Sequence, residues 1–314
     1  MSAGLDRAHI RRAFGRAAAS YAAHAALQVE VATRLREHLD ASPAFAPRRI
    51  LDVGCGPGEG VAALRARYPQ AEFLALDLAL PMLQVGKKNE EGTGSFSTGS
   101  LAQSPSRALE NEPGPFSFFL CADAQALPLA EASVDLVHSS LCLQWCEDPG
   151  LALAEFRRVL RPGGLLLFST FGPDTLKELR AAFAAIDRMP HVSRFVDMHD
   201  IGDALLASGF RDPVLERDDF ILTYTDARTL MRELRAIGAT NADAQRQRSL
   251  TGKTHLADVI GAYERFRRDG VLPATYEVVY AIARAPDAGQ PRRHGGEDIA
   301  SFPIERLRGS RRRA

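Results

Sequence analysis

Arg49-Ile50-Leu51-Asp52-Val53-Gly54-Cys55-Gly56-Pro57-Gly58-Glu59 decides the fold. Its first five residues read as a short buried strand, and a helix is under way by Val61. Between the two stand glycines at alternate positions, Gly54, Gly56 and Gly58. Glycine permits tight turns and lets backbone approach a ligand where a Cβ would collide. A bare strand-to-helix turn does not need three of them, so this one reads as a ligand cradle.

The neighbouring residues narrow the ligand. A dinucleotide fingerprint requires Gly or Ala at position 59. Glu59 stands there instead, a poor neighbour for a pyrophosphate, and no Walker-type lysine follows. S-adenosylmethionine carries no phosphate and bears a cationic sulfonium, toward which Asp52 adds negative charge. It is the cofactor expected here.

Working outward, the strand–turn–helix rhythm repeats. Residues 72–77 form a second strand ending in Asp77, about twenty residues past the glycine turn, where an acid accepts hydrogen bonds from ribose hydroxyls. Pro81 suits the first turn of the next helix, and Leu78 and Met82 are expected against the cofactor. Residues 116–120 form the third strand. Asp123 and Ala124 follow it, with Asp123 placed either to bond the adenine amino group or to cap an Asx turn. Residues 134–138 form the fourth strand, and Ser140 and Leu141 lie just beyond it; residues 165–169 form the fifth. In open α/β sheets ligands gather outside the carboxyl ends of the strands, where all these residues fall. The pattern predicts an α/β fold: a doubly wound, mostly parallel, seven-stranded Rossmann-like sheet with helices on both faces.

Around this core, residues 6–39 read as one helix with Phe14, Ala18, Tyr21, Ala25 and Gln28 along a single stripe. The expected organisation is lid helices over 1–47, a core domain over 48–285, and a tail over 286–314. The core is interrupted by a flexible Gly-, Ser-, Pro- and Glu-rich insertion at 89–115 and a helical insertion at 226–270; the Arg-rich tail is expected to be disordered.

Composition sets further bounds. Of 314 residues 46% are apolar and 25% charged, with zero formal net charge, so no global field favours nucleic acid or a membrane surface. No apolar run approaches the ~20 residues of a membrane span. Arg7, Arg11, Arg12 and Arg16 faintly resemble a presequence, but the stretch continues into the amphipathic helix. Cys55, Cys121, Cys142 and Cys146 show no paired metal or disulfide spacing. They read as reduced structural thiols of a cytoplasmic protein, and no metal site is expected.

The glycine turn, Asp77, Asp123-Ala124 and the segment containing Asp135 together resemble the class I methyltransferases over residues 48–170. A closer resemblance rests on Phe14-Gly-Arg-Ala-Ala-Ala-Ser-Tyr21-Ala-Ala-His24 with Leu27-Gln28, and on Ser140-Leu-Cys-Leu-Gln144-Trp145-Cys146. Pro190-His191-Val-Ser-Arg194-Phe195, Leu234-Arg-Ala-Ile-Gly238-Ala-Thr-Asn241 and Leu272-Pro-Ala-Thr-Tyr276-Glu extend it over most of 10–284. These stretches resemble the malonyl-acyl-carrier-protein O-methyltransferases of biotin synthesis. The resemblance implies methylation of the free carboxylate of a malonyl group on acyl-carrier protein, or on coenzyme A. A related branch of complex I assembly factors, one thought to hydroxylate an arginine, shares Ser-Leu-x-Leu-x-Trp and Pro-Ala-Thr-Tyr; Phe14, Tyr21, His24 and Gln28 match the methyltransferases better.

A malonyl carboxylate is ionised at pH 7, its acid lying near ~4, so no general base is expected. Catalysis would rest on alignment, worth roughly 7–11 kcal/mol in well-oriented systems. Arg194 is the expected holder of the carboxylate, by bidentate geometry. Tyr21, His24 and Gln28 are expected as a lid over the cofactor, and Gln144 and Trp145 as lining of the acyl pocket. Arg232, Arg235, Arg246, Arg248 and Lys253 are candidates for a basic face that docks an acidic carrier.

Overall fold

The computed structural model describes residues 4–91, 117–246, 252–289, 292–294 and 297–299. The chain begins with α1 (Arg7–Ala17), α2 (Tyr21–His24) and α3 (Ala26–Glu37). It then alternates β1 (Arg49–Val53), α4 (Glu59–Arg67), β2 (Glu72–Asp77), α5 (Leu80–Glu91), β3 (Ser117–Cys121), β4 (Val134–Ser140), α6 (Pro149–Val159) and β5 (Leu160–Phe171). Next come α7 (Lys177–Ala184), α8 (Met198–Ala207), β6 (Arg211–Tyr224), α9 (Ala227–Ala236), α10 (Lys253–Glu264) and β7 (Leu272–Arg284).

These seven strands form one sheet in the order β3-β2-β1-β4-β5-β7-β6. β1 to β5 pair in parallel, whereas β7 runs antiparallel to both β5 and β6. The order reverses between β1 and β4, so the carboxyl ends of those two strands open a crevice. β1, β4 and β5 are buried on both sides, which explains why they read as apolar runs rather than alternations. One core layer gathers Leu35, Ile50, Phe73 and Tyr263 beneath α3, α4 and α10; the opposite layer gathers Leu51, Val137, Phe156 and Phe168 beneath α6 and α8.

Three expectations are corrected. Residues 6–39 are three helices, not one. The Ser20 hydroxyl donates to the carbonyls of Ala17 and Ala236, at 3.1 and 2.8 Å, and Ala25 leaves helical geometry at φ −94°, ψ 30°. Tertiary anchoring thus overrides a good helical sequence. Residues 89–91 belong to the last turn of α5 rather than to an insertion; 92–116 lie outside the described residues. Within the tail expected to be disordered, Arg292–His294 and Glu297–Ile299 pair as an antiparallel hairpin (β8 and β9), and 300–314 lie outside the described residues.

The N-terminal helices and the segment after α9 are tied together. Asp6 caps α1 by accepting from the His9 amide at 2.9 Å and pairs with Arg246 at 2.9 Å. His9 Nε2 meets Thr240 Oγ1 at 3.0 Å, and the Asp6 amide donates to the Ala242 carbonyl at 2.8 Å. Gly238, at φ +82°, lies so near Phe14 that a Cβ would stand 3.0 Å from the Phe14 Cα.

Candidate active site

Two adjoining clefts open at the carboxyl edge of β1, β2 and β4. The larger encloses about 660 Å³, mouth included, and has Asp77, Leu78, Met82, Asp123 and Ala124 in one wall and Ser140, Leu141 and Trp145 in another. Ile10 and Phe14 of α1 roof it, and Phe14 meets Trp145 edge-on at 5.1 Å between ring centres. The second encloses about 440 Å³ and is lined by Gln28, Asp52, Glu59 and His138. Tyr21, Gly54, Gly56 and Ser140 border both.

Each glycine of the turn has its own reason. Gly54 (φ +71°) faces the segment beyond β4: a Cβ would sit 2.6 Å from Cys142 Cβ and Sγ. Gly56 (φ +53°) is open apart from the Tyr21 ring, whose Cε1 is 4.0 Å from the position a Cβ would take. Gly58 (φ +90°) lines neither cleft and supplies the left-handed cap of α4.

Asp77 turns toward the larger cleft. One carboxylate oxygen accepts from the Gly56 amide at 3.0 Å, the other from the Ala79 amide at 2.7 Å. Burial nevertheless pushes its pKa up to about 6, outweighing those amides, which pull the other way. Asp123 accepts from the Gln125 amide at 2.8 Å, so the Asx turn is present, while its other oxygen forms an ion pair with Arg7 of α1. It lines the cleft as well, so capping and ligand contact are compatible.

Asp52 points away from the larger cleft. It is buried, and its Oδ1 takes a 2.7 Å hydrogen bond from Nδ1 of buried His138. Two acceptors lining the second cleft, Gln28 Oε1 and Asp52 Oδ2, are buried without a partner among the described residues, as is His138 Nε2 beside them. Unpaired buried acceptors are costly. An ammonium offers three donors, so the amino-acid tail of S-adenosylmethionine fits this cleft, its adenosine fits the larger, apolar-walled one, and Asp77 suits the ribose between. Burial also raises the pKa of Glu59 and, together with Asp77 and Glu59, that of the Tyr21 phenol.

The other expected residues separate. Gln144 lines neither cleft: its amide donates to the Leu141 carbonyl at 2.8 Å and its carbonyl accepts from Thr170 at 3.2 Å. It braces Leu141, which turns at φ +50°. His24 is exposed, bonded at 3.0 Å to the Ser20 carbonyl, and lines neither cleft. Arg194 is exposed and also lines neither; its neighbour Phe195 packs on Phe171, the last residue of β5, at 5.7 Å. Of the basic face, Arg232, Arg235 and Lys253 are exposed, and Arg248 lies outside the described residues. Arg246 is drawn inward by Asp6, its side chain only 13% exposed, and leaves that face.

The sequence reading missed His138, although a histidine inside an apolar strand was the available signal. It also gave Cys142 and Cys146 purely structural roles, whereas both line the larger cleft. The hydrogen bond with Cys146 and burial hold the Cys142 thiol well above its usual pKa, which favours its neutral form.

Sheet order, glycine cradle and paired clefts define a Rossmann-like methyltransferase. The methyltransferase-domain family model matches residues 51–168. The fold is shared by crystal structures of a candidate methyltransferase from Bacillus halodurans C-125 and of the YcgJ protein from Bacillus subtilis. The first has a TM-score of 0.52 at 19% identity, covering 80% of this chain and 98% of that one; the second has 0.51 at 16%, covering 81% and 98%. The malonyl-[acyl-carrier protein] O-methyltransferase of Xylella fastidiosa is 47% identical, with 98% of this chain and 97% of that protein covered. That of Laribacter hongkongensis is 48% identical, covering 95% and 96%. The chain belongs to the malonyl-[acyl-carrier protein] O-methyltransferase family.

Proposed function

We propose that the protein methylates the free carboxylate of malonyl-acyl-carrier protein, with S-adenosylmethionine as donor, as the resemblance to the biotin-synthesis enzymes implies. The observation that carries the donor is the joined pair of clefts, with three unpartnered buried polar atoms in one and Asp77 at the boundary. The acceptor rests on relatives of that name matched over nearly the whole chain. Their name favours this branch over the complex I assembly factors.

When bound, S-adenosylmethionine would supply an electrophilic methyl group to the malonyl carboxylate oxygen and would leave as S-adenosylhomocysteine. The oxygen is already ionised, so the protein has no proton to move. Its residues align and exclude water. Asp77, Asp52, Gln28 and His138 hold the donor, Tyr21 and Phe14 cover it, and Trp145 walls the acyl side. Arg194 is the candidate partner of the malonyl carboxylate, on the segment that Phe195 fixes to the end of β5.

Tritiated methyl donor, offered with malonyl-acyl-carrier protein, malonyl-CoA or no acceptor, tests the reading. Base-labile label on the malonyl group is expected; cofactor binding without any transfer would refute it. Arg194→Ala should lower kcat/KM for the malonyl substrate about tenfold or more, the scale of a lost charge-assisted hydrogen bond. Affinity for S-adenosylhomocysteine should stay within twofold (about 0.4 kcal/mol), and an equal loss of both would remove Arg194 from the substrate role.

A further inference from the structure

Away from both clefts, at the junction of α7 and α10, two imidazoles and a carboxylate converge. Asp187 and His191 lie just beyond α7, and His255 sits in the first turn of α10. One ligand atom from each falls within 4.8 Å of the others. His191 Nε2 lies 2.9 Å from both oxygens of Asp187, and His255 Nε2 lies 3.3 Å from Asp187 Oδ2.

The residues are held before any ligand arrives. His191 stacks on Phe183 at 4.1 Å with planes 12° apart. Asp187 accepts from the Met189 amide at 2.8 Å, and Asn241 donates to the Pro190 carbonyl at 2.5 Å. His255 Nε2 is buried and makes no hydrogen bond among the described residues; it meets Asp187 Oδ2 only at ion-pair distance. A merely structural histidine turns such an atom to a donor, an acceptor or water. This one points at the centre of the cluster.

We propose that Asp187, His191 and His255 bind a divalent ion of the zinc class and thereby clamp the 187–195 segment to α10. Two imidazoles and a carboxylate form a borderline donor set, suited to zinc rather than to magnesium or calcium, which favour oxygen. Tetrahedral zinc with bonds of ~2.0–2.1 Å places its ligand atoms about 3.3–3.5 Å apart. Hence the 3.3 Å pair fits, the 2.9 Å pair need open only slightly, and the two imidazole nitrogens, within 4.8 Å of each other, need draw together on binding. The side chains are 13–26% exposed, which leaves room for water as the fourth ligand. The clamp would order the stretch that carries Arg194.

The test uses the untagged full-length chain, stripped by chelator and titrated with Zn²⁺ by calorimetry and with Co²⁺ by visible absorption. One equivalent of Zn²⁺ should bind, Co²⁺ should give the visible bands of a low-symmetry four- or five-coordinate site, and Mg²⁺ should give no heat. His255→Gln and Asp187→Asn, with circular dichroism confirming the fold, should each weaken Zn²⁺ at least tenfold. Zn²⁺ should also slow amide exchange across 188–194 in the parent chain and not in His255→Gln. No uptake, uptake that survives both substitutions, or a thiolate charge-transfer band with Co²⁺ would overturn the proposal.

Discussion

Asp77 shows how one residue's environment becomes a pH dependence. In its proposed role of accepting from ribose hydroxyls Asp77 acts as a carboxylate, yet burial raises its pKa to about 6. The proton is therefore held more tightly in the folded protein than in the unfolded chain. Its contribution to stability is full below the unfolded value and lost as pH rises through about 6, while cofactor binding gains over that same window. Affinity for S-adenosylhomocysteine should be flat from pH 8 to 7 and about tenfold weaker at pH 5, where roughly one carboxyl in eleven stays ionised. Calorimetry across that range checks it. Asp77→Asn should bind about 1.5–3 kcal/mol more weakly at pH 7.5 and lose the dependence. A slope that survives Asp77→Asn would assign the titration elsewhere. Asp77 was legible in sequence because strand end and spacing from the glycines mark it. His138 stood out only as a polar residue in an apolar strand, because its role depends on the parallel register that sets it beside Asp52.

At the scale of elements, legibility followed the range of the forces. The β/α alternation from β1 to β5 is written in local apolar runs and glycine turns, so strands and sheet class could be read directly. The lid could not. Residues 6–39 carry continuous helical propensity, and at the break over Ala18–Ser20 a hydroxyl is bonded to the distant Ala236 carbonyl. Those breaks let Phe14 and Tyr21 face the larger cleft and Gln28 the second. The lid is thus as firm as its attachment to the stretch after α9. Gly238→Ala probes that attachment, since it forces an L side chain to φ +82° and drives a methyl against Phe14. The left-handed cost alone is about 1–2 kcal/mol. A lower melting temperature is expected, together with faster release of S-adenosylhomocysteine in stopped flow. Unchanged release at reduced stability would mean that the roof over the cofactor does not depend on this contact.

For the molecule as a whole, zero net charge means that the proposed recognition of an acidic carrier would have to come from local patches. The exposed arginines of α9, Arg232 and Arg235, form one, on a helix packed against α1 and α2 and so fixed relative to the cofactor roof. Surface charges act over a Debye length of about 10 Å at 0.1 M salt, chiefly on encounter rate. Reversing both, with Arg232→Glu and Arg235→Glu, should raise KM for malonyl-acyl-carrier protein about fivefold or more at low salt and flatten its salt dependence. Malonyl-CoA lacks the carrier's acidic surface, so any turnover of it should change less than twofold, and cofactor affinity should hold. Arg246→Gln is the internal contrast: that guanidinium is spent on Asp6. Its loss should therefore loosen the N-terminal helices and lower stability without separating carrier-linked from free substrate. Parallel KM measurements on the two acceptors decide the matter, because a docking residue divides them and a purely structural one shifts both together.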